Sequence, residues 1–270
     1  SAKLRTLRLR VRVLLGPPNS KSSVILMAQD KKKEIVFFDQ LVEEEHKFSS
    51  LSEKCFQKLF FELSKSLINQ PKNIKIMDLG CGSGNFTKKL PLLSDQVYGC
   101  DISPKSIERA NYLYPKINFS VQDIENLSFE NDFFDVVIFS GVLHHFDDLN
   151  KPLLEAKRIL KKNGLIFSYD PNLKNPFFWL YRRKSSWFYS KEGVTENEEP
   201  LKQTEIEEIM QFHNFKKIEV YGISNMPMKS IADKKLSFFI ALYNFADYLL
   251  DIIPPLRNSI GSFLITKGRK

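Results

Sequence analysis

The sequence contains few residues that can cross-link the chain covalently or through a metal ion. Cysteine occurs three times, as Cys55, Cys81 and Cys100, without the close pairs that are typical of zinc ligands. Three thiols spaced this widely also exclude the dense disulfide framework of a small secreted domain. We therefore expect a reducing compartment and a fold that depends on a hydrophobic core, for which 43% hydrophobic content in 270 residues is sufficient.

Acidic residues are absent from the first 26 positions, which hold six Lys and Arg side chains. Because these six account for most of the net charge of +8, the rest of the chain is nearly neutral, and we do not expect it to bind nucleic acid. Three interpretations of residues 1–26 stay open. Met27 begins a stretch typical of a native amino terminus, which makes the basic segment tag or upstream sequence, but an organelle transit peptide or a basic arm for a membrane or a nucleic acid also fits.

Glycine is scarce, yet three of its 11 occurrences, Gly80, Gly82 and Gly84, alternate directly after the largely apolar segment 74–79. This pattern predicts a buried strand followed by a tight turn without Cβ atoms, on which a ligand can lie against the backbone. The dinucleotide fingerprint requires a glycine where Asn85 stands, so we do not expect a dinucleotide.

Apolar strands alternate with amphipathic helices through the chain, which predicts right-handed crossovers and one doubly wound sheet. The carboxyl ends of parallel strands meet at one edge, where such sheets bind ligands. Polar residues come to this edge from four successive strands, as Asp78, Asp101, Asp123 and Ser140. The predicted strands after the glycine turn span 96–100, 117–121, 133–140, 165–169, 216–222 and 262–267, and the longer helices span 37–69, 150–163 and 204–213.

Five short motifs occur in a characteristic order: Asp-Leu-Gly-Cys-Gly-Ser-Gly, Gly-Cys-Asp-Ile-Ser, Gln-Asp-Ile-Glu, Phe-Asp-Val-Val and Leu-Lys-Lys-Asn-Gly-Leu. In this order they resemble the small-molecule, methyltransferase type 11-like branch of the class I S-adenosylmethionine-dependent methyltransferases, over residues 45–170. The resemblance implies a Rossmann-like α/β fold. Its doubly wound, seven-stranded sheet is mostly parallel with the last strand antiparallel, and it carries helices on both faces and a helical, aromatic substrate lid.

The resemblance also implies S-adenosylmethionine as the cofactor and S-adenosylhomocysteine as its product. Asp78 is expected to hold the turn, and Asp101 is expected to bind the ribose hydroxyls. Asp123 is expected to accept a hydrogen bond from the adenine amino group, while the Ile124 amide donates one to the adenine ring nitrogen. The full set expected to line the cofactor is Asp78, Gly80, Cys81, Gly82, Gly84, Asp101, Ile102, Asp123, Ile124 and Ser140.

The same alignment of motifs predicts the domain organisation. Beyond the basic extension 1–26, residues 27–270 are expected to form one methyltransferase domain with a cofactor-binding core at 71–170. Two segments outside this frame, 171–202 and 224–258, are expected to be substrate-lid insertions.

His144 and His145 follow the fourth strand, beside the expected methyl donor, and are candidates for a catalytic base or for acceptor binding. Packing or helix capping is the competing interpretation. With Asp147 and Asp148 they also suggest a metal site, but neighbouring side chains should diverge and no other ligand cluster completes the set. We therefore predict no metal and expect the two acids to favour the start of the next helix.

The acceptor is predicted from two apolar stretches. Residues 177–189 contain seven aromatic side chains with three basic ones, and residues 236–253 form an apolar helix with one polar stripe. Nucleic acid stacking, a membrane interface and a plain hydrophobic lid all fit the first stretch. For the second, a roof over the acceptor is slightly favoured over a membrane contact, so we expect an enclosed cavity walled by Trp179, Trp187, Phe238 and Phe245.

These observations predict an enzyme that transfers a methyl group to a small apolar or lipid-linked acceptor in the cytoplasm, with possible peripheral contact to a membrane. The alternative is a regulator or subunit that binds S-adenosylmethionine without catalysis. The acceptor atom and the oligomeric state do not follow from the sequence.

Overall fold

A seven-stranded sheet organises the computed structural model, which describes residues 31–43, 49–183, 185–187, 189, 195, 198–224 and 237–270. The strand order is β3-β2-β1-β4-β5-β7-β6. The strands are β1 (Lys75–Leu79), β2 (Gln96–Asp101), β3 (Asn118–Val121), β4 (Phe134–Ser140), β5 (Leu160–Pro171), β6 (Lys216–Ile223) and β7 (Phe263–Arg269).

Helices connect these strands and cover both faces of the sheet. They are α1 (Lys31–Glu43), α2 (Ser49–Leu67), α3 (Pro104–Leu113), α4 (Asn150–Ile159), α5 (Pro176–Arg182), α6 (Gln203–Phe212), α7 (Ser237–Leu250) and α8 (Pro254–Ile260), with short 3-10 helices at Thr87–Leu92 and Leu143–His145.

Strand β7 is the antiparallel member of the sheet. It lies between β5 and β6 and pairs antiparallel with both, while the pairs from β3 to β5 are parallel. This topology confirms the fold that the sequence predicts, including the inserted last strand.

The core lies on both faces of the sheet. On one face α2 contributes the fully buried Cys55, Leu59 and Leu63, which pack with β-strand residues such as Ile76. On the other face α4 and α6 contribute a second cluster that includes Leu153, Ala156, Ile206 and Met210. The three cysteines are buried and free, and burial raises the pKa of each thiol.

Some predicted boundaries are wrong. The helix expected over 37–69 consists of α1 and α2, and residues 44–48 between them lie outside the described part of the chain. Helix α4 ends at Ile159, and Asn163 with Gly164 lies inside β5, where the pairing with β4 shifts register. Leu154 on α4 faces away from the sheet and is exposed.

Helix α7 presents its polar stripe to the protein. Asp247 is buried and accepts a hydrogen bond of 2.5 Å from Ser262 Oγ, and Lys58 binds Asp251 at 3.1 Å just beyond the helix. The opposite side carries exposed apolar side chains at three- and four-residue spacing. We call these the α7 apolar surface: Leu242, Phe245, Leu249 and Ile252.

The α7 orientation contradicts the predicted enclosed cavity. Trp179, Trp187 and Phe245 were expected to wall it, but they are 47%, 97% and 59% exposed. The side chain of Phe238 lies outside the described residues. Packing against the aromatic stretch is nevertheless present, since the rings of Tyr243 and Phe177 lie 4.6 Å apart. Within the described residues, no helix is long and apolar enough to cross a bilayer.

Candidate active site

The glycine turn after β1 adopts a backbone that side chains disfavour. Gly80 and Gly82 have φ of +71° and +51°, in the left-handed region. A Cβ on Gly80 would lie 2.6 Å from the Val142 Cβ, whereas a Cβ on Gly82 would meet no atom within 4 Å. Gly80 is therefore required by packing, and Gly82 leaves open space beside the backbone.

Asp101, at the end of β2, fastens this turn to the next loop. Its Oδ2 accepts from the Gly82 amide at 2.9 Å, and its Oδ1 accepts from the Ser103 amide at 2.9 Å. Burial raises the pKa of the carboxyl, and these amide hydrogen bonds act against that rise. Each oxygen has a further lone pair, so the carboxylate can accept hydroxyl donors without releasing the backbone.

Asp78 lies beneath the turn and is fully buried. Thr87 Oγ1 donates to its Oδ2 at 2.6 Å, which links the end of β1 to the 3-10 helix after the turn. Burial raises the pKa of Asp78 to about 7, although the hydroxyls of Ser140 and Thr87 lower it. Its Oδ1 makes no hydrogen bond of ordinary geometry, so a buried acceptor stays available at the turn.

Helix α1 lies across the carboxyl edge of the sheet. Lys31 pairs with Asp123 and with Glu125, both at 2.5 Å, and Asp39 accepts from Ser103 Oγ at 2.6 Å. These contacts place α1 next to two of the acidic residues assigned to the adenosine.

The remaining cofactor candidates lie at the same edge. Ser140 ends β4 beside β1, with its hydroxyl 3.4 Å from the Gly80 carbonyl. Cys81 is buried in the turn, and Ile124 is buried directly after Asp123. Ile102 follows Asp101 in the loop that ends at α3.

His144 forms a buried pair with an acid that the sequence analysis did not single out. Its Nδ1 lies 3.0 Å from Asp170 Oδ1, and its backbone amide donates to the same oxygen at 3.2 Å. Burial lowers the pKa of His144, but the hydrogen bond to Asp170 and the charge of Glu198 outweigh it and raise the pKa overall. The pair fixes the orientation of the imidazole.

His145 is buried in a different environment. Its Nδ1 lies 3.3 Å from Thr195 Oγ1 and 3.7 Å from Glu34 Oε2, and the Phe38 ring packs edge-on at 5.4 Å. Burial, together with the charge of His144, holds the pKa of His145 well below its usual range.

The geometry fits S-adenosylmethionine. Carboxylates at the ends of β2 and β3 supply acceptors for hydroxyl and amino groups, and Gly82 leaves room for a ligand at the turn. Residues 77–168 match the family described as a methyltransferase domain, of type 11. Residues 77–168 carry a class I S-adenosylmethionine-dependent methyltransferase domain of the type 11-like branch.

Relatives of this methyltransferase domain include quinone-pathway enzymes. The chain is 28% identical over 159 residues to a ubiquinone biosynthesis O-methyltransferase of Pelagibacter ubique, covering 57% of this chain and 66% of the relative. It is 30% identical over 104 residues to a demethylmenaquinone methyltransferase of Chlorobaculum parvum, covering 38% and 43%. The chain thus spans less than two thirds of these curated relatives.

A solved structure shares the fold. It is an S-adenosylmethionine-dependent methyltransferase of Thermotoga maritima, described as a possible histamine N-methyltransferase, with a TM-score of 0.58 at 19% identity. The match covers 87% of this chain and 99% of the other. At this identity the likeness supports the architecture of the methyltransferase domain alone.

The structure changes the view of the histidine cluster. The two imidazole rings lie 4.3 Å apart instead of diverging, and Glu198 Oε1 lies 3.8 Å from His144 Nε2. The two side chains therefore do not diverge, and Glu198 is a third ligand candidate, while the prediction of no metal stays a prediction. Asp147 and Asp148 are exposed, and Asp148 accepts from the Asn150 amide at 2.9 Å, at the start of α4 as expected.

Several residues at the methyltransferase edge were missed by sequence reasoning. Asp170 was identifiable, because it lies near the carboxyl end of β5 as Asp101 does at the end of β2. Lys31, Glu34 and Glu198 come from segments far along the chain from their partners. No local pattern marks them.

Proposed function

We propose that the protein transfers the methyl group of S-adenosylmethionine to a hydroxyl oxygen of a small, apolar, ring-containing acceptor. The observation that carries this proposal is the position of the buried His145 just after β4, at the same sheet edge as the glycine turn and Ser140. The names of the two quinone-pathway relatives support the class of acceptor.

The cofactor is proposed to lie along the carboxyl edge of β1 to β4. The methionine part contacts the glycine turn above Asp78, whose unpartnered Oδ1 supplies an acceptor there. The ribose hydroxyls donate to Asp101 and the adenine amino group donates to Asp123. Ser140 and the adjacent histidines then border the sulfonium methyl.

His145 is proposed to be the catalytic residue. Methyl transfer is an in-line displacement with a neutral leaving group, so alignment of the nucleophile and exclusion of water supply much of the rate. A neutral imidazole can accept the proton that the acceptor hydroxyl loses as the O–CH₃ bond forms. Asp170 holds His144 in place beside it, which makes His144 a positioning residue.

The α7 apolar surface is proposed to contact the surface of a lipid bilayer. Its exposed side chains extend from Leu242 to Ile252, two residues past the end of the helix, and Asp247 anchors the helix from the inside. Helix α7 also packs on α5 through Tyr243 and Phe177, and α5 begins shortly after Asp170, the partner of His144. A lipid-linked acceptor would therefore enter from the side on which the apolar surface lies.

Formation of S-adenosylhomocysteine with hydroxylated quinone precursors tests the proposed reaction. We expect turnover, and we expect His145→Ala to lower kcat by about 10²- to 10⁴-fold while S-adenosylmethionine affinity changes little. His213→Ala, at the half-buried histidine beside α4, is the matched control. Cofactor binding without turnover of any hydroxylated acceptor would instead favour the non-catalytic regulator.

Co-sedimentation with phospholipid vesicles tests the membrane contact. The double variant Phe245→Ser with Leu249→Ser should bind vesicles more weakly than the parent protein. Phe212→Ser is the control, because Phe212 is equally exposed but lies on α6. Equal binding by all three proteins, or a concentration-dependent dimer that the double variant abolishes, would contradict the membrane proposal.

A further inference from the structure

The cluster around His144 has the composition of a divalent metal site. One ligand atom from each of His144, His145 and Glu198 lies within 4.8 Å of the others, and both histidines are buried. Two imidazoles and a carboxylate form a ligand set that binds Zn²⁺ with a fourth position open. Zinc bonds of about 2.0–2.2 Å need the three atoms closer together than this.

The surroundings of His144 match those of a metal-binding histidine. Ligating histidines usually donate their second ring N–H to a carboxylate, which fixes the tautomer and turns the other nitrogen toward the ion. Asp170 Oδ1 is positioned to accept this hydrogen bond, since it lies 3.0 Å from His144 Nδ1. The other ring nitrogen of His144, Nε2, faces Glu198. The second oxygen of Asp170 is buried without a hydrogen-bond partner, so the carboxylate is held here chiefly through its contacts with His144.

Negative charge is concentrated at the same place. Glu34, from α1, lies 3.7 Å from His145, so the two imidazoles are flanked by three carboxylates, of which Glu34 and Asp170 are buried. Buried carboxylates are generally paired with cations or coordinate metals, and the buried Arg182, whose charge lowers the pKa of His144, is a cation already present at this cluster. We propose that His144, His145 and Glu198 bind one Zn²⁺ ion, with Asp170 as the outer partner of His144. A zinc-bound imidazole cannot also accept a proton, so the bound ion and the general-base role of His145 exclude each other at any one time.

Titration of the full-length, metal-depleted protein with Zn²⁺ against a chromogenic chelator tests this site, and it needs no acceptor or cofactor. We expect one equivalent of Zn²⁺ per chain. Glu198→Gln should weaken binding by at least about tenfold, and Asp170→Asn by about 10- to 100-fold. Glu199→Gln is the matched control, because Glu199 is next to Glu198 but is not part of the ligand set. The Zn²⁺ affinity of this variant should equal that of the parent protein.

Two readouts keep the result interpretable. Circular dichroism checks that each variant is folded, and Glu198→Gln removes only a charge at a partly exposed position. Substitution with Co²⁺ should give visible d–d bands without a thiolate charge-transfer band, as expected for nitrogen and oxygen ligands. Absence of stoichiometric binding, equal affinity of Glu198→Gln and Glu199→Gln, or a thiolate band from the cysteines would overturn the proposal.

Discussion

The glycine turn and helix α7 are each oriented by an acidic side chain, but the two acids differ in what they leave exposed. Asp101, at the end of β2, accepts hydrogen bonds from the Gly82 amide of the turn and from the Ser103 amide, and it still faces the carboxyl edge of the sheet. In α7, Asp247 is sealed against Ser262 and turns the apolar side of the helix outward. An acid with fixed hydrogen-bond partners thus orients both regions: the partly buried Asp101 beside the sheet edge and the buried Asp247 beneath α7.

The largest expected effect concerns the pH dependence of the turn region. The pKa of Asp78 is about 7 in the folded protein and 3.8 as its ordinary value. A raised carboxyl pKa means that the folded state holds the proton more tightly, so this group lowers stability as pH rises from about 4 to about 7. Between about pH 4 and pH 7 the loss of unfolding free energy approaches about 4 kcal/mol. Asp78→Asn should abolish this pH-dependent loss.

Urea denaturation of Asp78→Asn and the parent at pH 4 and pH 7 measures this difference. Asp148→Asn, at an exposed acid, should follow the parent at both pH values. If the difference in unfolding free energy between the parent and Asp78→Asn is the same at both pH values, Asp78 does not titrate as a buried acid. The acid beneath the glycine turn would then differ from the buried Asp247 of α7.

Two glycine variants separate packing from ligand space in the turn. Gly80→Ala should lower the free energy of unfolding by about 2 to 4 kcal/mol, since it adds a left-handed alanine and a clash with Val142. Gly82→Ala should cost only about 1 kcal/mol of stability but weaken S-adenosylmethionine binding, because its methyl group enters open space. Chemical denaturation and calorimetry measure the two quantities. Equal stability losses would show that Gly82 is packed rather than open.

Asp101 should be needed for the cofactor. We expect Asp101→Ala to weaken S-adenosylmethionine binding by about 1 to 3 kcal/mol, because ribose hydroxyls and the Gly82 amide lose their acceptor. Isothermal calorimetry decides this, with exposed Asp147→Ala as the control. Unchanged affinity in Asp101→Ala would remove Asp101 from the ribose. Comparable binding of nicotinamide or flavin dinucleotides by the parent would count against the cofactor assignment.

The smallest expected effects test which side of α7 faces the protein. Asp247→Ala should cost about 1 kcal/mol of stability, because Ser262 loses one hydrogen bond but keeps Tyr243 at 3.0 Å. Phe245→Ala should stay within about 0.5 kcal/mol, as expected for an exposed side chain. Thermal denaturation of both variants measures this. A larger loss from Phe245→Ala would mean that the apolar side is packed in solution.

The sequence predicts the sheet and its ligand edge well, because apolar strands and polar strand ends are local patterns. The rule that the carboxyl ends of parallel strands meet at one edge is enough to place four residues there: Asp78, Asp101, Asp123 and Ser140. The orientation of α7 was not predictable in this way, since an amphipathic pattern shows two sides but not which one faces the core. Likewise, Lys31 and Asp123 are 92 residues apart, so only the tertiary fold brings them together.

The position of β7 has a consequence for folding during synthesis. Strand β6 is an edge strand whose sheet partner is β7, and β7 also pairs with β5. While the ribosome is still making residues 224–262, β6 therefore has no neighbour to join, although β1 to β5 can already associate. The sheet can therefore be completed only after residues 263–269 have left the exit tunnel and inserted between β5 and β6.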